Sequence, residues 1–560
     1  MKKEGESLFR QHAIFMGILM IFGIAICFVS FGDGYTKTIE FGYHLSRIYS
    51  LTDSLKNGIF PAKIRPVLVH TFGYGEGFFY PDFFLYLPAV MRLAGIPLAV
   101  SVKTMIVLMI LAGLCLCYIS LYKLSDNKLV AFTGTLLYYS VEAFWYALYE
   151  EGGVGRWGSH IFLIVTLVGL LLILEGKDSG LIYAIGIIGA LLTHPLMFLT
   201  LIFAMVLIVL FNLRQLFSGK ALGRFALFSL VPMVLTSFYW LPAFEQIYHQ
   251  KFKVFYANIY DAEDNVLSFK ETIAGVGLVV VSFFSVAFVF YLVYCIWQKK
   301  TCLIINKLLA IVVIYTWLIV SNSFWESGIG DKLSFFQSSE RFIYSLAAIM
   351  IIAIAYIGGF ILKGKEIDGR FLTVGGALIV LVFGLVTGRY IVRYEGFERV
   401  PIDEDLEYTM LYEHRGISAG MEWLPVETWP DNCAEPSTAH APDGSGADGT
   451  KHDNGKSFDV YLVSGHEYYD MPYIYYYGYK AYVLDGEGNI TTELQTGKAE
   501  NANGHLRVYL PDAYESDIIH VLVTYRKTAI QIASYIISLV AALSLIVYWV
   551  VRSVRRRHCQ

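Results

Sequence analysis

The sequence has little charge and few features that would connect it to nucleic-acid, metal or disulfide chemistry. Only 16% of the 560 residues are charged, with a formal net charge of −4 at pH 7, so the basic surface needed to bind nucleic acid is missing. Of the seven cysteines, Cys433 alone falls in a region predicted to be external. An intramolecular external disulfide is therefore excluded, and no Cys or His spacing matches a metal site.

Hydrophobic residues, in contrast, make up 56% of the chain, with a mean hydropathy of +0.54. These values are typical of polytopic membrane proteins. No small-residue cleavage site follows the first apolar run, which we therefore interpret as an uncleaved signal anchor. The apolar runs predict about twelve transmembrane helices, near residues 13–31, 101–121, 129–148, 159–175, 180–193, 195–212, 225–243, 272–297, 303–321, 342–362, 371–389 and 528–551.

The distribution of basic residues predicts the orientation in the cell membrane. The basic short loops fall on one side, together with Lys2, Lys3 and the arginine-rich tail, so both termini are expected to be cytoplasmic. The apolar segment 83–99 is expected to be an interfacial or re-entrant helix, because counting it as a span would put one basic terminus outside.

A change in composition near Arg389 divides the chain. Residues 1–389 are predicted to form a multi-spanning domain with a first external loop at 32–100. Residues 390–526 are predicted to form an external β-rich domain, since aromatic residues alternate after Ser457. Within it, the Gly/Asp/Ser-rich segment 442–456 is expected to be a flexible loop. Residues 527–560 give the last transmembrane helix and a basic cytoplasmic tail.

The first external loop carries the densest set of ionisable and aromatic residues. Residues 39–56 predict one helix that ends at Asn57-Gly58. At helical spacing, Glu40, His44 and Arg47 share one arc with a tyrosine, next to an apolar arc. Such a helix is expected to lie on the bilayer and present these three side chains above it.

Several residues of the external loops are candidates for chemistry. Asp33 and Glu40 are the first external carboxylates and suit a general base; the alternative is a pair of solvated loop acids. His44 and Arg47 could orient that base or hold a phosphate, or form a helix-surface ion pair. Further candidates come from loops predicted on the same external face, namely Tyr80, Asp82, Glu151, Arg156, His194, Glu340 and Arg341.

Each further candidate also has a structural interpretation. Tyr80 could belong to an interfacial aromatic belt, and the pair Glu151 and Arg156 could only stabilise its loop. His194 could bond the backbone at a helix end, while Arg341 could extend to the membrane interface. The one-sided placement of all these groups favours a common site.

The motifs EFGYHLSRI, GIFP, GYG and FYPDFFLY, between residues 40 and 86, resemble the YfhO-like bacterial membrane proteins of the GT-C glycosyltransferase superfamily. This resemblance implies a GT-C-like enzyme of inverting type that takes a sugar from a polyprenyl-phosphate donor outside the membrane. An acidic residue of the first external loop is then expected to deprotonate the acceptor. Relatives carry Asp where this chain has Glu40, and Asp33 is the second candidate. Glu151 and Arg156 stand in the reverse order to the relatives' Arg and Glu.

The sequence therefore predicts a membrane glycosyltransferase that acts on a cell-wall or surface polymer, or on a lipid acceptor, among membrane lipids. Arg47, Arg156 and Arg341 would stabilise the leaving phosphate. No cofactor is implied; the acids leave room for a divalent metal without a spacing that demands one. The alternatives are a lipid or polysaccharide transporter or flippase, and a non-catalytic scaffold. Few ionisable residues fall mid-span, which argues against a transport path.

Overall fold

The structure is a computed structural model that describes residues 2–177, 179–256, 263–363, 369–402, 416–418, 420–511 and 517–558. The side chains of the basic residues at both termini, on which the predicted orientation partly depends, lie outside the described residues. The chain divides into two compact units. The first comprises Met1–Phe41, Leu98–Met233 and Tyr260–Pro401, and the second Gly42–Pro97, Val234–Ile259 and Ile402–Gln560.

The first unit is helical. Its longer helices are Lys2–Ile26, Leu98–Ser125, Lys128–Tyr138, Val154–Leu174, Gly180–Leu191, Pro195–Phe211, Ala221–Leu235, Leu278–Gln298, Leu303–Val320, Ile343–Leu362 and Gly369–Glu395. Its shorter helices and helical turns are Phe28–Phe31, Glu142–Tyr146, Ala147–Glu151, Leu213–Leu216, Glu263–Asn265, Phe269–Val276, Asn322–Trp325, Gly328–Lys332, Ser334–Phe336 and Ser339–Phe342. A short antiparallel pair joins β1, Tyr35–Thr36, to β2, Arg399–Val400.

Among the described residues, seven helices are long and apolar enough to cross a membrane, or eight if Ala221–Leu235 and Ser237–His249 form one broken span. The predicted count of about twelve stays a prediction. The other apolar helices, such as Gly180–Leu191 and Phe83–Leu93, have only 10–17 residues, whereas about 20 residues cross the hydrocarbon core. The seven are Leu98–Ser125, Val154–Leu174, Leu278–Gln298, Leu303–Val320, Ser339–Leu362, Val374–Glu395 and Ala529–Val551.

The centre of the first unit is the helix Val154–Leu174, whose apolar window is entirely buried. It packs closely on Gly180–Leu191 because glycines remove side chains from the contact. A Cβ at Gly169 would lie 2.5 Å from the backbone nitrogen of Tyr183. The helix begins at Val154, so Arg156 lies in its first turn.

The second unit contains the helix Phe41–Lys56 from its second residue onward. This helix ends where the sequence predicted, since Gly58 follows it with φ +69° and closes the last turn. Other helices and helical turns of the unit are Glu76–Phe79, Phe83–Leu85, Tyr86–Leu93, Ser237–His249, Lys253–Tyr256, Pro430–Asn432, Asp453–Gly455 and Ala529–His558.

The predicted β-rich region forms a nine-stranded sheet whose neighbouring strands pair antiparallel. Its strands are β3 Thr438–His440, β4 Gly446–His452, β5 Ser457–Val463, β6 Tyr468–Ile474, β7 Tyr479–Leu484, β8 Ile490–Leu494, β9 Thr496–Ala499, β10 His505–Tyr509 and β11 Ile518–Tyr525. The strand order is β8-β7-β11-β5-β4-β3-β6-β10-β9. Along β5 and β11 buried and less buried residues alternate, as the aromatic pattern predicted.

The expectation that residues 442–456 form a flexible loop is wrong. Strand β4 lies within this segment and pairs with β3 on one side and β5 on the other. Its glycines serve close packing, because a Cβ at Gly449 would lie 2.5 Å from the ring of Phe458 and 2.4 Å from the carbonyl oxygen of Asp459. At Gly449, therefore, the absence of a side chain leaves room for the ring of Phe458.

Candidate functional site

In the first unit, a local interruption of helical structure positions Glu151. The predicted single span over 129–148 is broken, and the indole Nε1 of Trp145 donates a 3.0 Å hydrogen bond to the Tyr139 carbonyl at the break. A π-helical turn, Ala147–Glu151, follows and ends at Gly152, whose φ of +75° favours glycine.

Two carboxylates come together beside this turn. The backbone N–H of Glu40 donates a 2.7 Å hydrogen bond to the carbonyl of Glu151. A Cβ at Gly153 would lie 2.9 Å from Oε2 of Glu151 and 3.4 Å from Oε2 of Glu40, so both side chains reach the same small volume. Glu40 precedes the helix Phe41–Lys56 instead of lying within it, and the side-chain oxygen of Thr38 accepts a 3.1 Å hydrogen bond from the N–H of Phe41 at the helix start.

Arg156 joins this loop to a third carboxylate. Its Nη1 lies 3.0 Å from Oε1 of Glu151 and 3.5 Å from Oε1 of Glu340. The side chains of Arg156 and Glu151 are 13% and 6% exposed, whereas that of Glu340 is 29% exposed. The reversed order of Glu151 and Arg156 in the sequence therefore still gives an ion pair.

Arg341 completes this group, which we call the Glu151 cluster: Glu40, Glu151, Arg156, Glu340 and Arg341. Arg341 is 7% exposed, and its Nη2 donates to the side-chain oxygen of Gln337. Its Nε and Nη1 are buried without a hydrogen-bond partner among the described residues, as is Oε2 of Glu151. Buried unpaired polar atoms are costly, so this cluster has capacity for an additional polar group.

The electrostatics of the Glu151 cluster favour proton exchange near neutral pH. Burial raises the pKa of Glu151 to about 7, against the opposing charge of Arg156, and the negative charge of Glu40 raises it further. A carboxylate pair of this kind takes up a proton more readily than an isolated acid. Such a pKa suits a general base operating near pH 7.

Asp33 and His194 have other surroundings. The side chain of Asp33 is exposed, and its backbone carbonyl accepts a 2.8 Å hydrogen bond from Nε of Arg399. His194 caps the helix Pro195–Phe211, where its Nδ1 accepts from the N–H of Met197 at 3.5 Å. This cap corresponds to the structural interpretation of His194, and the roles of both residues in substrate chemistry stay predictions.

In the second unit, Arg47 and Asp82 belong to a separate charged group. Nη2 of Arg47 donates to Oδ1 of Asp82 at 2.9 Å and to the carbonyls of Tyr80 and Pro81 at 3.2 and 3.0 Å. The guanidinium also lies over the ring of Tyr80, 4.0 Å from its centre. The other carboxylate oxygen of Asp82 binds Nη2 of Arg65. Asp82 therefore binds two buried guanidiniums, one with each carboxylate oxygen.

Glu76 and Tyr43 complete this second group, the Asp82 cluster: Tyr43, Arg47, Arg65, Glu76 and Asp82. The Tyr43 hydroxyl donates a 2.8 Å hydrogen bond to Oε2 of Glu76. The two oxygens of Glu76 lie 3.9 Å from Nε of Arg47 and 3.8 Å from Nε of Arg65. Burial raises the pKa of Glu76 to about 7, although both arginines lower it.

The expectation that the helix over 39–56 presents His44 and Arg47 above a bilayer is wrong. These residues are 1% and 2% exposed, and burial together with the charge of Arg47 lowers the pKa of His44 well below its usual value. The helical period placed Arg47 on the polar arc of this helix. It gave no sign of the buried partner of Arg47, Asp82, which lies 35 positions later in the chain.

Sequence reasoning missed two residues of the Asp82 cluster, Arg65 and Glu76. Both fall within the loop already singled out, in KIRP and YGEGFF, where their charges were the available signal. Among the described residues, no three His, Cys, Asp or Glu side chains are grouped as they would be around a metal ion.

No protein-family model matches this chain, and no curated protein matches it.

Proposed function

We propose that this protein is a GT-C-type membrane glycosyltransferase that moves a sugar from a polyprenyl-phosphate donor to a surface-polymer or lipid acceptor outside the cell membrane. The observation that carries the proposal is the Glu151 cluster. It combines paired carboxylates with a buried guanidinium, Arg341, that has two unpartnered nitrogens. A transferase of this kind needs both a proton acceptor and a group that stabilises a leaving phosphate.

In the proposed reaction, Glu40 accepts the proton of an acceptor hydroxyl. The hydroxyl oxygen forms a bond to the anomeric carbon of the donor sugar, and the bond from that carbon to the phosphate oxygen breaks. The electron pair leaves with the lipid phosphate, whose charge Arg341 and Arg156 stabilise. Glu40 is preferred to Glu151 as the base because it is partly exposed, whereas Glu151 is 5% exposed and bound by Arg156.

The direct test is transfer by the full chain, purified into lipid nanodiscs, against a panel of polyprenyl-phosphate sugars. Glu40→Gln keeps the side-chain shape and removes the charge. We expect a loss of transfer of about 10²-fold or more, with donor binding retained. Asp33→Asn is the matched control, since that carboxylate is exposed.

Near-normal transfer by Glu40→Gln together with loss in Asp33→Asn would assign the base to Asp33. Normal transfer by both variants would show that the segment from Asp33 to Glu40 is not part of the active site. If the unmodified protein transfers no sugar in the whole panel, but in sealed proteoliposomes moves a lipid-linked sugar across the bilayer, the transporter alternative replaces the enzyme.

The predicted topology, with the β-rich domain outside and the C-terminal tail in the cytoplasm, has its own test. Single cysteines introduced at Ser445 and Ser553, in a background without native cysteines, report the side of each segment. We expect a membrane-impermeant thiol reagent to label position 445 and not position 553 in intact cells. Labelling of position 553 from outside would refute the predicted topology.

A further inference from the structure

A cavity in the second unit has an unusual concentration of positive charge. Its volume is about 180 Å³, and three lysines line it with no acidic residue: Lys63, Lys456 and Lys527. Aromatic and amide side chains, among them Phe60 and Gln531, complete the lining.

Lys63 is the buried cation of this cavity. It is 7% exposed, and the structure gives its ammonium no hydrogen-bond or ion-pair partner among the described residues. Its contact is with the ring of Tyr239, whose centre lies 5.9 Å from Nζ. Asp82 attracts this ammonium electrostatically, but both oxygens of Asp82 already bind guanidiniums. An ammonium left in this state is poised for an anion that enters the cavity.

The other two lysines are held at the cavity by backbone carbonyls. Nζ of Lys456 donates to the carbonyl of Asn57 at 3.4 Å, and Nζ of Lys527 to that of Phe60 at 2.5 Å. An ammonium has three donors, so both lysines keep donors for a further acceptor. Lys456 also lies 4.0 Å from Asp453, a distance typical of a weak surface ion pair.

Gln531 adds a neutral polar group. Its Nε2 donates to the Tyr525 hydroxyl at 2.7 Å, while its Oε1 is buried without a hydrogen-bond partner among the described residues. This oxygen can accept a hydrogen bond from a hydroxyl group. Gln531 belongs to the apolar helix Ala529–His558, one of the candidate membrane spans, so the cavity lies at the start of a candidate span.

From this arrangement we infer that the cavity binds a phosphate group. A carboxylate has two oxygens and one negative charge, which is too few for three ammonium groups. A phosphate has more acceptor oxygens and a greater negative charge, so it matches them better. The phosphate can come from a lipid headgroup of the membrane or from a soluble phosphate ester. The inference does not depend on glycosyl transfer, because the Glu151 cluster contributes no residue to the cavity.

The test uses the full chain in phosphatidylcholine nanodiscs, titrated calorimetrically with inorganic phosphate and with glycerol 3-phosphate. In parallel, native mass spectrometry counts the phosphatidylglycerol molecules retained by protein from mixed nanodiscs. The variants are Lys63→Met, which keeps the length of the side chain, and Lys456→Gln combined with Lys527→Gln. Lys480→Gln is the control, because that lysine pairs with Glu493 and is 43% exposed.

We expect binding or retention to weaken by about 10- to 100-fold in both lysine variants and to stay unchanged in the control. Retention of phosphatidylglycerol without calorimetric binding assigns the phosphate to a lipid headgroup, and the converse assigns it to a soluble ester. If Lys63→Met fails to fold, the combined variant Lys456→Gln and Lys527→Gln decides whether the cavity binds phosphate. Absence of both binding and retention, an equal loss in Lys480→Gln, or equally tight binding of acetate would overturn the inference.

Discussion

The Glu151 cluster and the Asp82 cluster both combine acids with arginines, but their charges have different partners. In the Asp82 cluster one carboxylate binds two guanidiniums, and the atoms without hydrogen bonds, such as Nε of Arg47, still face Glu76 at 3.8–3.9 Å. In the Glu151 cluster, Arg341 has a neutral amide as its hydrogen-bond partner, and no carboxylate of the described residues lies within ion-pair distance of it.

This difference separates two uses of buried charge. A network whose charges are paired internally connects segments of a fold, and removing one partner leaves an isolated buried charge. A network that keeps a donor with no carboxylate within ion-pair distance is suited to an incoming ligand. The raised carboxyl pKa does not separate the two clusters, since Glu76 and Glu151 both reach about 7. On the pairing of the guanidiniums we propose that the Asp82 cluster stabilises the fold and that the Glu151 cluster carries the chemistry, although both were candidates for substrate binding from the sequence.

The largest effect is expected for Asp82→Asn. This change removes the carboxylate shared by Arg47 and Arg65, and we expect the free energy of unfolding to fall by about 3–5 kcal/mol. Denaturant titration followed by tryptophan fluorescence measures it. Glu340→Gln is the control, since that side chain is 29% exposed and should cost under about 1 kcal/mol. Equal losses in the two variants would end the distinction between the clusters.

The second prediction concerns Arg341. Arg341→Gln should lower sugar transfer by about 10²- to 10³-fold, the scale for losing one group that stabilises developing charge. The free energy of unfolding should change by less than about 1 kcal/mol, because the removed charge had unpaired nitrogens. Arg393→Gln, at a 43% exposed side chain, serves as the control for both measurements. A large stability loss with unchanged transfer would make Arg341 a structural residue.

The third prediction is a pH dependence. The pKa of Glu151, the carboxylate beside the proposed base Glu40, is raised to about 7 by burial and further by the charge of Glu40. When Glu151 ionises, its charge increases the proton affinity of Glu40, so transfer should rise as the pH passes through about 7 and level off above it. Glu151→Gln should move the inflection to lower pH, because Glu40 then lacks a neighbouring carboxylate. An unchanged pH profile in Glu151→Gln would show that Glu151 does not influence the protonation of the base.

The same shift has a consequence for stability. The folded pKa of Glu151 lies above the ordinary value of 4.5, so its protonation favours the folded state. This contribution is complete below about pH 4.5 and is lost as the pH rises through about 7. The unfolding midpoint should therefore fall over this interval by less in Glu151→Gln than in the unmodified protein.

The smallest effect is expected at an exposed ion pair. Nζ of Lys37 lies 2.9 Å from Oε2 of Glu398, with side chains 61% and 68% exposed. Lys37→Gln should change the free energy of unfolding by less than about 0.5 kcal/mol, measured by the same denaturant titration. A loss comparable to that of Asp82→Asn would show that burial is not what distinguishes the strong pairs in this protein.

Local patterns in the sequence were sufficient to predict the features that depend on residues close together in the chain. Hydropathy identified the apolar helices, alternating aromatics predicted the β-rich region, and Asn57-Gly58 predicted the end of a helix. Each of these signals has a physical cause within a few residues, namely helical or strand periodicity or a positive φ.

The tertiary structure decided which charges meet. Glu340 reaches Arg156 across 184 positions and Asp82 reaches Arg47 across 35, and no periodicity in the sequence connects such pairs. It also made a strand of a glycine-rich segment, because Gly449 accommodates the ring of Phe458. Composition and spacing identified the polar residues of this chain, whereas burial and long-range contact determined which of them are neutralised by partners and which keep unpaired polar atoms.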